Sequence, residues 1–339
     1  MFEHRGLVES ILRIATFDLS EQAREYASAT LMDIASASLN QIPMAKNDKL
    51  LGCLVKLSVT EDGPEAREYA ITGLQNLAFA KESRVRLVSY GSGVVLEALK
   101  KAVSTDPNGK ARRRAAGALT NLACEETAER MGCHKSLLHT LANASVRDVH
   151  EDVQKRAVLA LTKLSTNITC TMLCYENLLD ALVVAAINDR SETISAVLRV
   201  KSREPENRES MGNHTGIIDT LCKITTTESY SIKDKDNAMR AIMHLTNESS
   251  NRKVLCRRIV LDTLVAGASL IHEDDIRDSA ILAIERLATE VSNRKYMARH
   301  DGLLVAVARA TERECKMDQA SSERSLLAKP LLMSLLVAL

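Results

Sequence analysis

Hydrophobic positions along the chain follow two helical patterns that alternate. The segments REYAITGLQNLA (67–78), RRRAAGALTNLA (112–123) and KRAVLALTKLS (155–165) share the spacing small–x–x–small or apolar–Leu–x–x–Leu–small. On a helix this puts Ala70, Leu74, Leu77 and Ala78 on one stripe, with small residues where neighbouring backbones approach closely. Weaker copies lie at 26–36, 238–246 and 280–288. A second apolar segment precedes each of these, marked by Ile11, Leu54, Ala98, Leu141, Leu182, Leu221, Leu264 and Val307. The gaps between markers are 43, 44, 43, 41, 39, 43 and 43 residues, a period of about 42 over nearly the whole chain.

A third, shorter segment repeats in the same register. Met44, Val88, Met131, Met172, Met211, Val254 and Met297 each stand ten residues before the next marker. These are expected to fill core gaps between short helices. Asn-Arg pairs recur near its start at 207–208, 251–252 and 293–294. Three helices per period, the first short, predict an α-solenoid of about eight units; a HEAT-like array of two-helix units is the alternative. Composition agrees, since 13 Gly, 5 Pro and 3% aromatics favour helices over strands.

A short helix, a "G-apolar-apolar-x-x-L" helix and an "A-x-x-A-L-x-N-L-A" helix, in that order, resemble the armadillo family of β-catenin and importin-α. The resemblance covers residues 6 to 339 and implies an all-α, right-handed superhelical solenoid. It also implies a concave groove, lined by the third helices, that holds an extended peptide, with the Asn of "LxNLA" clamping the partner's backbone. That position reads Asp33, Asn76, Asn121, Lys163, His244, Arg286 and Ser334, so only two are Asn. Importin-α places Trp one turn earlier to sandwich basic import signals; here Thr72 and Gly117 stand there, and the chain has no Trp.

Lys plus Arg (45) nearly cancels Asp plus Glu (44), so no global field draws the chain to nucleic acid or an anionic membrane. Local charge is more telling. Arg112, Arg113 and Arg114 open one third helix and Lys155 and Arg156 the next, close to Asn121 and Lys163. This basic stretch points to an acidic segment as partner. The expected groove residues are Asn76, Arg113, Arg114, Asn121, Lys155, Lys163, Arg240, His244 and Arg286. His134, His214 and His300 recur seven residues before their markers and read as structural, at the turn from first to second helix.

The eight cysteines contain no CxxC pair, and Cys170 and Cys174, four apart, do not complete a ligand set, so no metal is expected. No nucleophile triad, Gly-rich phosphate loop or HExxH helix is present. The chain therefore reads as a non-enzymatic scaffold or adaptor that needs no cofactor or small-molecule substrate. Two rivals are a DNA-glycosylase-like helical-repeat enzyme, which needs aromatic stacking surfaces, and a membrane-tethered solenoid, which needs a lipidation signal or an apolar span. With no secretory leader, the expected location is cytoplasmic, nuclear or both.

Three local expectations complete the reading. Residues 1–339 form a single array. Its fifth repeat, near 188–215, is irregular, because Lys201 stands where Leu77, Leu122 and Leu164 stand elsewhere and Pro205 stops a longer helix. Both ends look uncapped; Ala328, Leu331, Leu332, Leu335, Leu336 and Leu339 make one stripe, and the face bearing Met333 and Val337 is expected to meet further chain, a partner or a second copy.

Overall fold

The computed structural model describes residues 5–60, 63–167, 176–186, 192–270, 272–318, 333 and 335–337, and among them there is no strand. The chain falls into two compact units, Met1–Cys170 and Thr171–Leu339. Unit one opens with α1 (Arg5–Phe17) and α2 (Glu21–Ser36). Triplets follow: α3 (Ser38–Ala45), α4 (Asp48–Thr60) and α5 (Pro64–Leu77); α6 (Lys81–Ser89), α7 (Val94–Thr105) and α8 (Gly109–Leu122); α9 (Glu125–Gly132), α10 (Lys135–Arg147) and α11 (Glu151–Asn167). Unit two begins with α12 (Glu176–Ala186) and α13 (Thr193–Arg203). Its triplets are α14 (Pro205–Asn213), α15 (Thr215–Thr226) and α16 (Ile232–Leu245), then α17 (Ser249–Leu255), α18 (Arg258–Ala268) and α19 (Asp274–Thr289), before α20 (Val291–Ala298) and α21 (Leu303–Asp318).

Third helices stack in succession, α2–α5–α8–α11 in unit one and α13–α16–α19 in unit two. Small residues make the stacking close. Ala70, Ala115, Ala116, Ala118, Ala157 and Ala160 have no exposed surface, and a Cβ on Gly73 would lie 3.3 Å from Leu54 Cδ2. Leu74, Leu119 and Leu161 fill the space between, buried to 1% exposure or less, at about 1.5–3 kcal/mol for each large side chain taken from water.

The Asn-Arg pairs have a definite job. Asn251 Nδ2 donates to Leu245 O at 3.1 Å and to Arg208 O at 2.7 Å; Asn293 Nδ2 donates to Leu287 O and to Arg252 O, both at 3.0 Å. One amide thus satisfies a carbonyl at the end of the preceding third helix, where intrahelical donors run out, and ties consecutive first helices together. The Arg beside it adds a second cap: Arg208, Arg252 and Arg294 donate through Nε to Ser202 O, Thr246 O and Ala288 O. In unit one the role is spread over other residues, with Asn40 on Ile34 O, Arg84 on Ala78 O and Thr127 on Leu122 O.

Two of the three recurrent histidines are capping residues, while the enclosed Nδ1 of His300 has no hydrogen-bond partner. His134 Nδ1 accepts from Leu137 N–H and His214 Nδ1 from Ile217 N–H, so each stands at the N-cap of a second helix. The opposite nitrogen meets an acid of the previous second helix: His134 with Glu97 at 2.8 Å, His214 with Asp180 at 3.1 Å and His300 with Asp262 at 3.1 Å. Arg257 makes the same bridge to Asp219 at 2.8 Å in the repeat between.

Of the short-helix series, Met44, Val88, Met131, Met211 and Met297 are buried, while Val254 is 45% exposed. This corrects the expectation for Val254: Leu255, fully buried, takes the core position at the end of the seven-residue α17. Met172, Cys170, Cys174 and Tyr175 lie outside the described residues. In the fifth repeat Lys201 is only 4% exposed, with its ammonium 3.2 Å from Glu204 Oε2. Pro205 stands in the first turn of α14, where its missing N–H costs nothing. Most of the expected C-terminal stripe lies outside the described residues; Leu335 is buried, whereas Met333 and Val337 are exposed.

Candidate functional site

In each unit a row of side chains runs along the third helices, each a residue before a core position near the helix end. In unit one it is Asp33, Asn76, Asn121 and Lys163; in unit two it is Val200, His244 and Arg286. Val200, 45% exposed, belongs to the row although the irregular repeat hides it in the sequence. Ser334 lies outside the described residues.

Three members of the row reach to the neighbouring helix. Asn76 Nδ2 donates to Met32 O at 3.2 Å, Lys163 Nζ to Thr120 O at 3.3 Å and Arg286 Nη1 to Met243 O at 2.9 Å. The acceptor in each case lies one residue before the row member of the preceding helix, so the three bonds are one repeated bridge between repeats. Asn121 breaks the series: its Nδ2 is enclosed and has no hydrogen-bond partner. An amide left in that state costs about 1–3 kcal/mol.

Two turns earlier on α8 and α11 lie Arg113, Arg114 and Arg156, all part-buried. Among the described residues none of the three is in an ion pair. Arg114 Nε is enclosed without a partner, and burial, then the charges of Arg113 and Arg156, hold its pKa below the usual guanidinium value against the pull of Glu68. Gly117 makes room for this crowding, since a Cβ there would lie 2.4 Å from Gln75 Nε2 and 2.9 Å from Arg156 Nη1. Arg112, the first of the run, is spent elsewhere on Asp148 at 2.7 Å and on Asp106 O. Lys155 is matched by Glu151 one turn away at 2.7 Å.

The unit-two face is organised differently. Arg240 is held by Asp236 at 2.8 Å and Asp275 at 3.2 Å. His244 is half-buried, and burial together with Arg208, Arg286, Arg203 and Arg240 pushes its pKa down to about 4. It is therefore a neutral ring among cations near neutral pH. In unit one the structure thus gathers Arg113 and Arg114 with Arg156 and, two turns further along, sets Lys163 beside Asn121 through its bond to Thr120 O; Asn76 is engaged by Met32 O and Lys155 by Glu151, while in unit two Arg240, His244 and Arg286 come together. Sequence reasoning missed Gln75, whose signal is only its place one residue before the row, and it named Arg208 only within an Asn-Arg pair, without its nearness to His244.

No protein-family model matches the chain, and no curated protein does. The fold does have solved counterparts. A structure from work on a conserved phosphorylation switch controlling the interaction between cadherin and β-catenin aligns over 99% of this chain and 76% of its own, at TM-score 0.55 and 15% identity. A computationally designed armadillo repeat protein for modular peptide recognition aligns over 82% of this chain and 99% of its own, with TM-score 0.48 and 20% identity. Another, designed and bound to the peptide (KR)4, covers 83% and 99% at TM-score 0.47 and 19% identity. The chain has an all-α fold of the armadillo-repeat type. Among the described residues no helix is long and apolar enough to cross a membrane, and no group of three or more His, Cys, Asp or Glu side chains could hold a metal ion.

Proposed function

We propose that this chain is a non-enzymatic protein-binding scaffold that holds an extended acidic segment against the α8–α11 face of unit one. One observation carries the reading: three guanidinium groups, Arg113, Arg114 and Arg156, gather with none of them in an ion pair among the described residues, and Glu68 acts on Arg114 only from a distance. Like charges gathered on a part-buried surface repel and lower each other's pKa, and an arriving carboxylate relieves that repulsion while gaining charge-assisted hydrogen bonds. Asn121, two turns further along α8, has amide hydrogens that a turn of its side chain would offer to a segment's backbone. The β-catenin counterpart takes part in an interaction with cadherin, and repeat arrays in general bind along such stacked faces.

The test is a fluorescence-anisotropy titration of the full chain with a labelled peptide of alternating Glu and Ser. Binding should weaken as salt rises, because exposed charges act mainly through long-range attraction. Asn121→Ala should cost about 1 kcal/mol, one hydrogen bond to a backbone. Arg113→Glu with Arg114→Glu should reduce affinity at least about tenfold, since it reverses the local field. Lys155→Gln, at a residue already matched by Glu151, should change it little. Unchanged affinity in both the Asn121 and the double-Arg variants would overturn the proposal.

A further inference from the structure

The cations of unit one have acidic and aromatic counterparts at equivalent positions in the preceding repeats. Seven residues before the row Asp33, Asn76, Asn121, Lys163 stand Tyr26, Tyr69, Arg114 and Arg156, and eight before it stand Glu25, Glu68, Arg113 and Lys155. Seven or eight residues is about two helical turns, so the first set lies nearly in line with the row and the second flanks it, about 80° round the helix. Going from α2 to α11 the face therefore reads Glu-Tyr, Glu-Tyr, Arg-Arg, Lys-Arg, with Asp33 at the acidic end and Lys163 at the basic end. Its charge reverses between α5 and α8.

The acidic half is a cluster in space as well as in register. Tyr69 has its phenol pKa raised by burial and then by four carboxylates, those of Glu25, Glu68, Glu65 and Asp33. Glu25, Glu65 and Asp33 are in no ion pair among the described residues, and Glu68 accepts only the amide of Asn108, at 3.0 Å. Tyr26 is 63% exposed beside them and offers a ring face suited to a cation. The two halves hardly neutralise one another: Glu68 and Arg114 sense each other across the boundary, yet form no salt bridge.

We propose that this face binds a protein segment that is itself divided in charge, with its basic part over α2 and α5 and its acidic part over α8 and α11. The proposal rests on the peptide-binding reading above and names the partner. A nucleic acid, or any uniform polyanion, is repelled by Glu25, Glu68 and Asp33, and a uniform polycation by Arg113, Arg114 and Arg156; only a segment of both signs matches the whole face. Packed helices lie about 8–10 Å apart, so the centres of the two halves, two helices apart, are separated by about 16–20 Å. At about 3.3 Å per residue of extended chain, the basic and acidic groups of the segment are about six residues apart.

The probes are labelled peptides with a short lysine block and a short glutamate block separated by about six Gly and Ser residues, made in both block orders, and an all-glutamate peptide of equal length. They are titrated against the full chain, its Glu25→Gln/Glu68→Gln variant and its Arg113→Gln/Arg114→Gln variant. One block order should bind at least about fivefold more tightly than the all-glutamate peptide. The Glu-to-Gln pair should remove that advantage while leaving the all-glutamate peptide bound as well or better, and the Arg-to-Gln pair should weaken both. Gln at position 68 can still accept from Asn108; if the pair melts lower than the parent, Glu25→Gln alone carries the comparison. Mixed peptides that bind no more tightly than all-glutamate in either order, with no effect of the Glu-to-Gln pair, would overturn this proposal and leave the acidic-segment reading standing. Tighter binding of a single-stranded oligonucleotide than of any peptide would also overturn it. Failure of every peptide to bind would sink both.

Discussion

Lys201 gives the sharpest test of how the array is held together. Its counterparts Leu245 and Leu287 are fully buried at the same register, and Lys201 is buried too, to 4% exposure. Its ammonium meets Glu204 at 3.2 Å, but Glu204 is 43% exposed, so much of the attraction is screened by water. Desolvating the ammonium costs several kcal/mol, and a pair with one partner half in water does not return all of it. Leu at this position removes that cost, and Glu204 stays solvated and keeps the amide of Asn207 at 2.6 Å. The lysine stem is already buried, so the hydrophobic gain is small. The expected result for Lys201→Leu is a stabilisation of about 1 kcal/mol, which for a unit of this size raises Tm by about 2–4 °C. Lys201→Ala, which also empties the space filled by the stem, should lose about 2 kcal/mol. Urea and thermal unfolding of both variants, with Glu204→Gln to complete a double-mutant cycle, measure the balance. A loss of more than about 1 kcal/mol in Lys201→Leu would refute the reasoning and show that the pair more than offsets its burial. Amide exchange in the parent should be faster at residues 199–206 than at 115–123, where the helix closes on Leu119 and Leu122.

Further outcomes follow from the same geometry. Asn293→Ala removes two buried hydrogen bonds and should lower stability by about 2 kcal/mol in urea unfolding. Gly212→Ala should act similarly at the neighbouring repeat, because its Cβ would lie 2.3 Å from the Asn251 carboxamide. His244, with its folded pKa lowered to about 4 from about 6.5 unfolded, stays neutral in the fold while the unfolded chain takes up a proton. Stability is then full above about pH 6.5 and falls as pH drops toward 4, by about 1–2 kcal/mol once solvent screening of a half-buried ring is allowed for. His244→Gln should flatten that window, and an unchanged pH slope would count against it.

The solenoid was legible because each repeat buries the same positions. Once Leu74, Leu119 and Leu161 recur at intervals of 45 and 42 residues, the core is specified in outline, and the short helices follow from Met44, Met131, Met211 and Met297. The histidines stand at the turn between helices as expected, but their bridges depend on Glu97, Asp180 and Asp262, which lie 34–38 residues earlier and carry no local signal. Val254 was misplaced by one residue, since a helix of one or two turns has too little periodicity to fix its inner face. For the candidate face, sequence gave position without pairing. Arg112, Arg113 and Arg114 are identical in type and adjacent, yet Arg112 is consumed by Asp148 while the other two are not. Arg240 likewise stands at a groove position, where Asp236 and Asp275 already hold it.

That distinction between spent and unspent side chains bears on the family-like Asn positions themselves. In this chain the donors at Asn76, Lys163 and Arg286 are engaged by carbonyls of the preceding helix, so part of the row's work is to join one repeat to the next. A side chain used that way can change from Asn to Lys to Arg without losing its function, because each type supplies an N–H that reaches a carbonyl. Such exchange accounts for Lys163 and Arg286, where the row departs from Asn while the bridge persists. Asn121 stands apart, with its amide enclosed and unpaired. Removing it from a purely structural row member should cost stability, whereas removing an amide that lacks a partner should cost none. Asn76→Ala is accordingly expected to destabilise unit one by about 1 kcal/mol and Asn121→Ala to leave unfolding unchanged or slightly raise the midpoint. A larger loss at Asn121 than at Asn76 would mean that its amide belongs to the fold after all.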